Sequence, residues 1–447
     1  MKPLYSKMIA FVAAFLLIIS GSNLFSQTFL LNGESRTRGY YAHGLGSLPP
    51  KDVNPATFIE QRTRLNFDFK RNKLEYFFGL EDKRYWGQEG NPTKDIDANL
   101  GVYAAYVKYR FMNNVDVQFG RQIIFYDDER LFTSGEWTAF NRSFDLAKFH
   151  IVNPRTKAYL DIGLGASASK SSAYITDFRE DVAKYIGYTY YNQKFFDQKL
   201  NISLYTVMNG LQGRRYQGND TTHLPNTLYV NELVGIFSNY TTNNFQFEAE
   251  FYYEFGKTQD GKKLSATFYA GAASYLIGDS LILTLGYERN SGSDLSNPDF
   301  ANRSTSFVNT YGQGNEYLGA LCYFNDGTST NYAGLQDVYF DGQYSPVRNF
   351  WINPQVHCFL LTHNYVTPTK KVNKYLGMEV DMELIYHPYP DFTLSVLGGY
   401  LFQTSSFNAI PNIGVPNDAP GGTPYFVRLE VLFSPNIFTH TFKKKKM

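Results

Sequence analysis

"FQFEAEFYYEF", residues 245–255, splits into two sets of alternate positions. Phe245, Phe247, Ala249, Phe251, Tyr253 and Phe255 make one set; Gln246, Glu248, Glu250, Tyr252 and Glu254 make the other. Successive side chains of a β-strand point to opposite faces. Read as a strand, this segment is aromatic on one face and lined with carboxylates on the other. Such a segment needs surroundings that suit both faces at once.

The rest of the chain narrows the choice of surroundings. Its 447 residues include 36 Tyr and 38 Phe, so aromatics reach 17% while charged residues make up only 19%. Mean hydropathy is nonetheless −0.34, polar on average. A net charge of +1 excludes the basic excess of a nucleic-acid surface. Cys322 and Cys358, paired or free, are too few for a disulfide framework. The N-terminus, "MKPLYSKMIAFVAAFLLIISGSNLFSQ", sets Lys2 and Lys7 before an apolar run from Met8 to Ile19, with small and polar residues after it. That is the layout of a secretory signal peptide, with cleavage expected near Ser26. No later run is long enough to be a transmembrane helix.

Alternation like that of 245–255 recurs in segments of about 10 residues, the length a tilted strand needs to cross a bilayer. "TRLNFDFK" sets Leu65, Phe67 and Phe69 against Arg62, Arg64, Asn66 and Asp68. "KYLGMEVDMELIY" sets Leu376, Met378, Val380, Met382 and Leu384 against Glu379, Asp381 and Glu383, and "VRLEVLF" sets Val427, Leu429, Val431 and Phe433 against Arg428 and Glu430. Eight short turns, at 70–73, 112–114, 153–155, 197–199, 242–244, 278–280, 345–349 and 387–391, alternate with longer polar stretches. Among the latter are 213–226 and the very long 289–333, which has room for a further strand pair. Short turns at one end and long loops at the other are the plan of an outer-membrane barrel. The expectation is an all-β transmembrane antiparallel barrel of 16–18 strands, favouring 18, over residues 27–438. A signal peptide at 1–26 precedes it, and a basic tail at 439–447 follows. A soluble β-sandwich with an aromatic core would have shorter strands and a shorter chain. In the barrel the aromatic face meets lipid and the carboxylate face meets water, with no sheet edge left open in hydrocarbon.

"FGRQIIFYDDERLFTSGEWTAFNRSFDLAKF" (119–149) resembles a stretch of alginate-export-type porins: Gly-Arg-Gln, an acidic residue with Arg-Leu, a Trp, then Arg-x-Phe-Asp. "LGYERNSGSD" (285–294), "YLGALCYF" (317–324), "GLQDVYF" (334–340), "YLGMEVDMELIY" (375–386) and a final "FVRLEVLFSPNIF" look similar in the same order. The chain thus resembles a Bacteroidetes-like member of that family. The resemblance implies an eighteen-strand barrel conducting an anionic polysaccharide past an arginine-rich lumen, with Arg121, Arg130 and Arg142, along with Asp145 of the same motif, in or near the constriction.

Charge departs from that pattern. By parity, early strands send Arg62, Arg64, Lys83, Lys108 and Arg110 inward, and later strands send Glu248, Glu250, Glu254, Glu379, Asp381 and Glu383 inward. A basic wall would then face an acidic wall, with Arg62, Arg64, Lys108 and Arg110 opposite Glu248, Glu250 and Glu379. Such a pore orients dipolar solutes and selects weakly by charge. Arg121 shares parity with Val117 and Phe119, the lipid side. Either Gly120 marks a bulge that turns it inward, the preferred reading, or it sits at the rim. The loop 127–142, with Asp128, Arg130, Trp137 and Arg142, is a candidate for folding into the mouth, though a solvated charged loop reads the same way.

No catalytic, metal or phosphate-binding constellation emerges. The seven His are scattered without zinc-ligand spacing, and "GLGASAS" lacks the Lys of a phosphate loop. A barrel hydrolase is therefore the weakest reading. The expected function is a cofactor-free, non-enzymatic porin passing small hydrophilic or saccharide solutes, with an exporter of anionic exopolysaccharide as the alternative. Its partners are outer-membrane lipid and solute, not nucleic acid.

Overall fold

A computed structural model describes residues 27–442 except 88–99, 136–141, 169, 172–175, 178–182, 218–219, 295–296, 298, 300–301, 313–316, 365–371, 412 and 414–420. Eighteen strands form the wall. In chain order they are β1 (Gln27–His43), β2 (Ala56–Arg71), β3 (Leu74–Tyr85), β4 (Leu100–Met112), β5 (Val115–Ile123) and β6 (Ser143–Val152). Next come β7 (Tyr159–Ala166), β8 (Tyr185–Phe195), β9 (Leu200–Gln217), β10 (Asp220–Thr241), β11 (Phe245–Lys257) and β12 (Lys263–Ile277). The rest are β13 (Leu281–Asn290), β14 (Leu335–Val347), β15 (Phe350–Leu361), β16 (Tyr375–Tyr389), β17 (Phe392–Gln403) and β18. β18 runs in two stretches, Tyr425–Phe433 and Asn436–Phe442, with Pro435 in the break, where a strand N–H is missing.

Each strand pairs antiparallel with the next, and β18 closes the ring on β1 through Arg38↔Glu430 and Phe29↔His440. The quoted segment is β11, and its two faces part as its alternation requires: Phe245, Phe247 and Phe251 are exposed outward, while Glu250, Tyr252 and Glu254 are buried within. Val427 and Leu429 against Arg428 and Glu430, and Met382 and Leu384 against Glu379 and Asp381, part in the same way. Closure leaves no strand of the wall as an open edge, the condition hydrocarbon imposes.

All eight expected short turns join consecutive strands. Three expectations about segment boundaries change. The polar stretch 213–226 is a paired extension of the β9–β10 hairpin, with Tyr216↔Thr221 in register; beyond the hydrocarbon a hairpin needs no apolar face, so alternation fades there while pairing continues. Among the described residues, 291–334 adds no strand pair to the wall; a short strand there, Arg303–Ser304, lies parallel to the start of β12. The last strand runs past residue 438 to Phe442, while the Lys443–Lys446 run and residues 1–26, the expected signal peptide, lie outside the described residues.

The apolar core sits inside the ring at its long-loop end. One cluster packs Leu318, Leu321 and Phe324 of the 291–334 loop with Leu48, Phe359, Leu401 and Phe407. The other packs Ile124, Leu131 and Phe132 of the β5–β6 loop against Tyr188, Tyr190, Tyr205, Tyr252 and Phe268 of the wall. Two loops therefore fold inward and are held there by burial of their own apolar residues.

Candidate functional site

On the β18–β1–β2–β3 side the inward face carries Arg36, Arg38, Arg62, Arg64 and Arg428, all buried. Carboxylates stand between them. Arg62 Nε donates to Glu34 at 2.7 Å, and Arg64 bonds Glu81 at 2.8 Å and reaches Glu34 at 3.4 Å. Arg38 pairs with Glu430 across the closing seam and lies 3.8 Å from Glu60. Lys83 meets Glu81 at 2.8 Å, and Arg428 meets Glu383 at 3.4 Å. Farther round, Lys108 and Arg110 share Asp116 at 3.4 and 2.9 Å, and Asp68 holds Lys70 at 2.7 Å. The expected bare basic wall is a mixed ladder, because a buried guanidinium without a counter-charge is costly.

The acidic side is organised by loops. Arg130 sits on the inward β5–β6 loop, where its guanidinium binds Glu250 of β11 at 2.9 Å, Glu288 of β13 at 2.6 Å and Asp128 at 3.5 Å. It also lies 3.9 Å from the Tyr317 ring centroid. Burial alone would lower the Arg130 pKa; Glu288, Glu250 and Asp128 outweigh it and raise it well above the ordinary value. Burial pushes the Asp128 carboxyl up, and Arg130 opposes that rise. Beside it Asp127, with φ +49°, accepts hydrogen bonds from Tyr190 (3.1 Å), Ser203 (2.9 Å) and Tyr205. The 124–135 loop is thus pinned to β8–β9 by an aspartate and to β11–β13 by an arginine. The 291–334 loop is pinned through its backbone: Val308 N–H donates to Glu254 (2.9 Å), Leu321 N–H to Glu379 (2.7 Å) and Ala320 N–H to Asp381 (3.2 Å).

By strand order β2 and β11 lie half a ring apart. Even so, the groups expected to oppose each other across the lumen are engaged locally: Arg62 and Arg64 with Glu34 and Glu81, Glu250 with Arg130, and Glu379 with Leu321 N–H. Arg121 and Asp145 of the expected constriction face outward. Pairing is continuous through Ala105↔Arg121, Tyr106↔Gly120 and Val107↔Phe119, so no bulge reverses parity. Gly120 instead takes φ +121°, where a Cβ would lie 2.3 Å from the Ala105 carbonyl oxygen. Arg121 remains on the Phe119 face and forms a two-bond pair with Asp145 at 2.8 and 2.9 Å. Arg142 is exposed at the foot of β6, and Trp137 lies outside the described residues.

Several inward groups were missed. Glu34, Arg36 and Arg38 occupy alternate positions of "GESRTRG", a signal available in the sequence. Asp337 carries the same signal in "DVYFD", where Asp337 and Asp341 alternate with Val338 and Phe340, whereas the partners of Asp127, Glu288 and His357 come from loop folding and cross-strand neighbours. His357 Nδ1 lies 2.6 Å from Asp337, both buried.

Cavities lie on the short-turn side of the inward loops, two of them lined by described charged residues. One, about 280 Å³, is lined by Lys108, Lys148, His150, Asp161, Phe125 and Tyr126. The other, about 210 Å³, is lined on the acidic side by Glu248, Asp341, Gln246, Gln355, Tyr317 and Tyr339, with Arg130 and His357 behind.

No family model and no curated protein matches the chain. Solved structures do. A BenF-like porin from Pseudomonas fluorescens Pf-5 is similar at 13% identity and TM-score 0.58, over 92% of this chain and 99% of that one. Pseudomonas aeruginosa OpdK with vanillate matches at 11% and 0.56, over 92% and 99%. Pseudomonas aeruginosa OccK2 (OpdF) in complex with glucuronate matches at 10% and 0.57, over 92% and 98%. At such identities the likeness establishes the fold, a porin-type β-barrel. It lends no support to the alginate-export family or to a Bacteroidetes origin.

Proposed function

We propose that this chain is an outer-membrane porin of a Gram-negative bacterium, exported by a leader cleaved near Ser26, which passes small hydrophilic or saccharide solutes passively through a water-filled lumen. The observation that carries this reading is the division of faces round a closed ring. Phe247, Phe251, Met382, Leu384, Val427 and Leu429 point out, while Arg62, Arg64, Glu250, Glu379, Asp381 and Arg428 point in. Only lipid outside and polar contents inside satisfy that division at once. Two folded loops narrow the ring, as befits a sieve for small solutes. That similar barrels were crystallised with vanillate and glucuronate supports solutes of that size. An exporter of anionic polymer such as alginate is less well served, because the arginines of the ladder already face carboxylates. The chemistry needed is selection by size, charge and hydrogen bonding, with no bond made or broken.

Liposome swelling tests this function. Vesicles loaded with the folded protein should swell in arabinose, more slowly in a disaccharide, and hardly at all in a tetrasaccharide. Folded protein that produces no swelling with any sugar contradicts the proposal.

A further inference from the structure

The 210 Å³ cavity on the acidic side has an imbalance that the channel reading leaves unused. Four charged groups border it: Arg130, His357, Glu248 and Asp341. Both cations are occupied from behind. The Arg130 guanidinium is held by Glu250, Glu288 and Asp128, and the His357 ring by Asp337. Both carboxylates are underused. Glu248 accepts one bond, from Asn239 Nδ2 at 3.2 Å. Asp341 Oδ1 is buried and accepts no hydrogen bond among the described residues. A buried carboxylate oxygen without a donor is costly, and a donor supplied by a solute in the cavity would relieve that cost.

The remaining lining suits a compact cation. Gln246 and Gln355 offer amide oxygens, Ser274 and Thr284 share a 2.8 Å hydroxyl–hydroxyl bond, and Tyr339 supplies an aromatic ring beside Tyr317, one face of which is already covered by Arg130. An ammonium group carries three donors and no acceptor, which matches the two carboxylates of the lining and the amide oxygens beside them. Aromatic faces add cation–π attraction. Glu248 and Asp341 come from β11 and β14, with β12 and β13 between them and Gln355 on β15 beyond, so the site spans five neighbouring strands of one wall.

We infer that this cavity is a binding subsite for a small primary ammonium compound, held by Asp341 and Glu248 on the short-turn side of the Arg130 loop. The inference rests on the porin reading for access to the cavity but concerns a different ligand charge from the carboxylates found with the similar barrels. A solute carrying an ammonium group would pause here, on the wall opposite the arginine ladder.

Saturation-transfer NMR on the detergent-folded protein tests it, with n-butylammonium chloride as the probe and n-butanol as its uncharged counterpart. Folding of each variant is first confirmed by heat-modifiable gel migration. Wild type should give a butylammonium signal several times that of butanol. Asp341→Asn should bring it down to the butanol level, Glu248→Gln should weaken it, and the butanol signal should stay constant throughout. Equal signals in wild type, or a butylammonium signal that survives in the folded double variant, overturn the inference. Bilayer recordings on the same samples separate the two proposals: open steps without ammonium binding sink the subsite alone, whereas ammonium binding without open steps leaves the subsite standing and sinks the channel.

Discussion

The arginine ladder of β18–β1–β2–β3 and the carboxylate side of β11–β16 use buried charge in different ways. On the ladder, guanidinium and carboxylate alternate between neighbouring strands, so charge is compensated within the wall: Arg62–Glu34, Arg64–Glu81, Arg38–Glu430. On the carboxylate side the counter-charge and the donors arrive from loops: Arg130 for Glu250 and Glu288, and backbone N–H groups for Glu254, Glu379 and Asp381. The first arrangement sets a local field and the second sets the shape of the opening. An acidic wall that looks like a selectivity device in the sequence is, in the fold, largely a set of loop anchors.

Breaking the anchor should have the largest effect. Arg130→Met leaves Glu250 and Glu288 buried without their cation, a loss of about 3–5 kcal/mol when one partner of a buried pair is removed. Single-channel recordings should show a larger and noisier open step, and the barrel should unfold at lower temperature on gels. An unchanged step would mean that the apolar residues of the loop and Asp127 hold it without Arg130. Next in size, Glu379→Met combined with Asp381→Leu removes the acceptors for Leu321 and Ala320 N–H. Hydrogen bonds to charged groups contribute about 1.5–3 kcal/mol each, so limited proteolysis should begin to cut within 317–324, where wild type resists.

The ladder should respond in selectivity and leave pore size alone. Arg38→Met exposes Glu430 and Glu60 and should move the zero-current potential toward cation preference, while Glu430→Gln should move it toward anions. Both shifts should shrink between 0.1 M and 1 M salt, as the Debye length falls from about 10 Å to about 3 Å. Shifts of the same sign in both variants would contradict a compensated ladder. The smallest effect belongs outside the ring: Arg121→Ala breaks an exposed pair worth about 0.2–1 kcal/mol and should leave conductance and selectivity unchanged. A conductance change would return Arg121 to the constriction.

The wall was legible in the sequence because lipid imposes period two on every spanning strand, and 245–255, 375–386 and 427–433 carry it openly. The turns were legible because Asn, Gly, Pro and Asp cluster where the chain reverses. Parity also placed Arg62, Glu250, Glu379 and Arg428 on the inward face. Parity could not say what each inward group would meet, since Glu34 lies on β1, Glu81 on β3 and Arg130 on a loop far from its carboxylates in sequence. For Arg121 the sequence leaves two readings open, and the preferred one, a bulge at Gly120, does not hold, because Gly120 takes a positive φ within continuous pairing and parity keeps Arg121 on the Phe119 face. The 291–334 loop escaped because its anchors are backbone N–H groups, which every residue but proline possesses.

Site-directed spin labelling of β11 probes the two-sided wall most directly. In a background lacking Cys322 and Cys358, nitroxides at positions 246 and 247 of the membrane-reconstituted protein are compared for collision with oxygen, which partitions into lipid, and with a water-soluble nickel chelate. The label replacing Phe247 should favour oxygen and the label replacing Gln246 should favour the chelate. Equal accessibility at the two positions, or the reverse order, would contradict a barrel with lipid outside and water within.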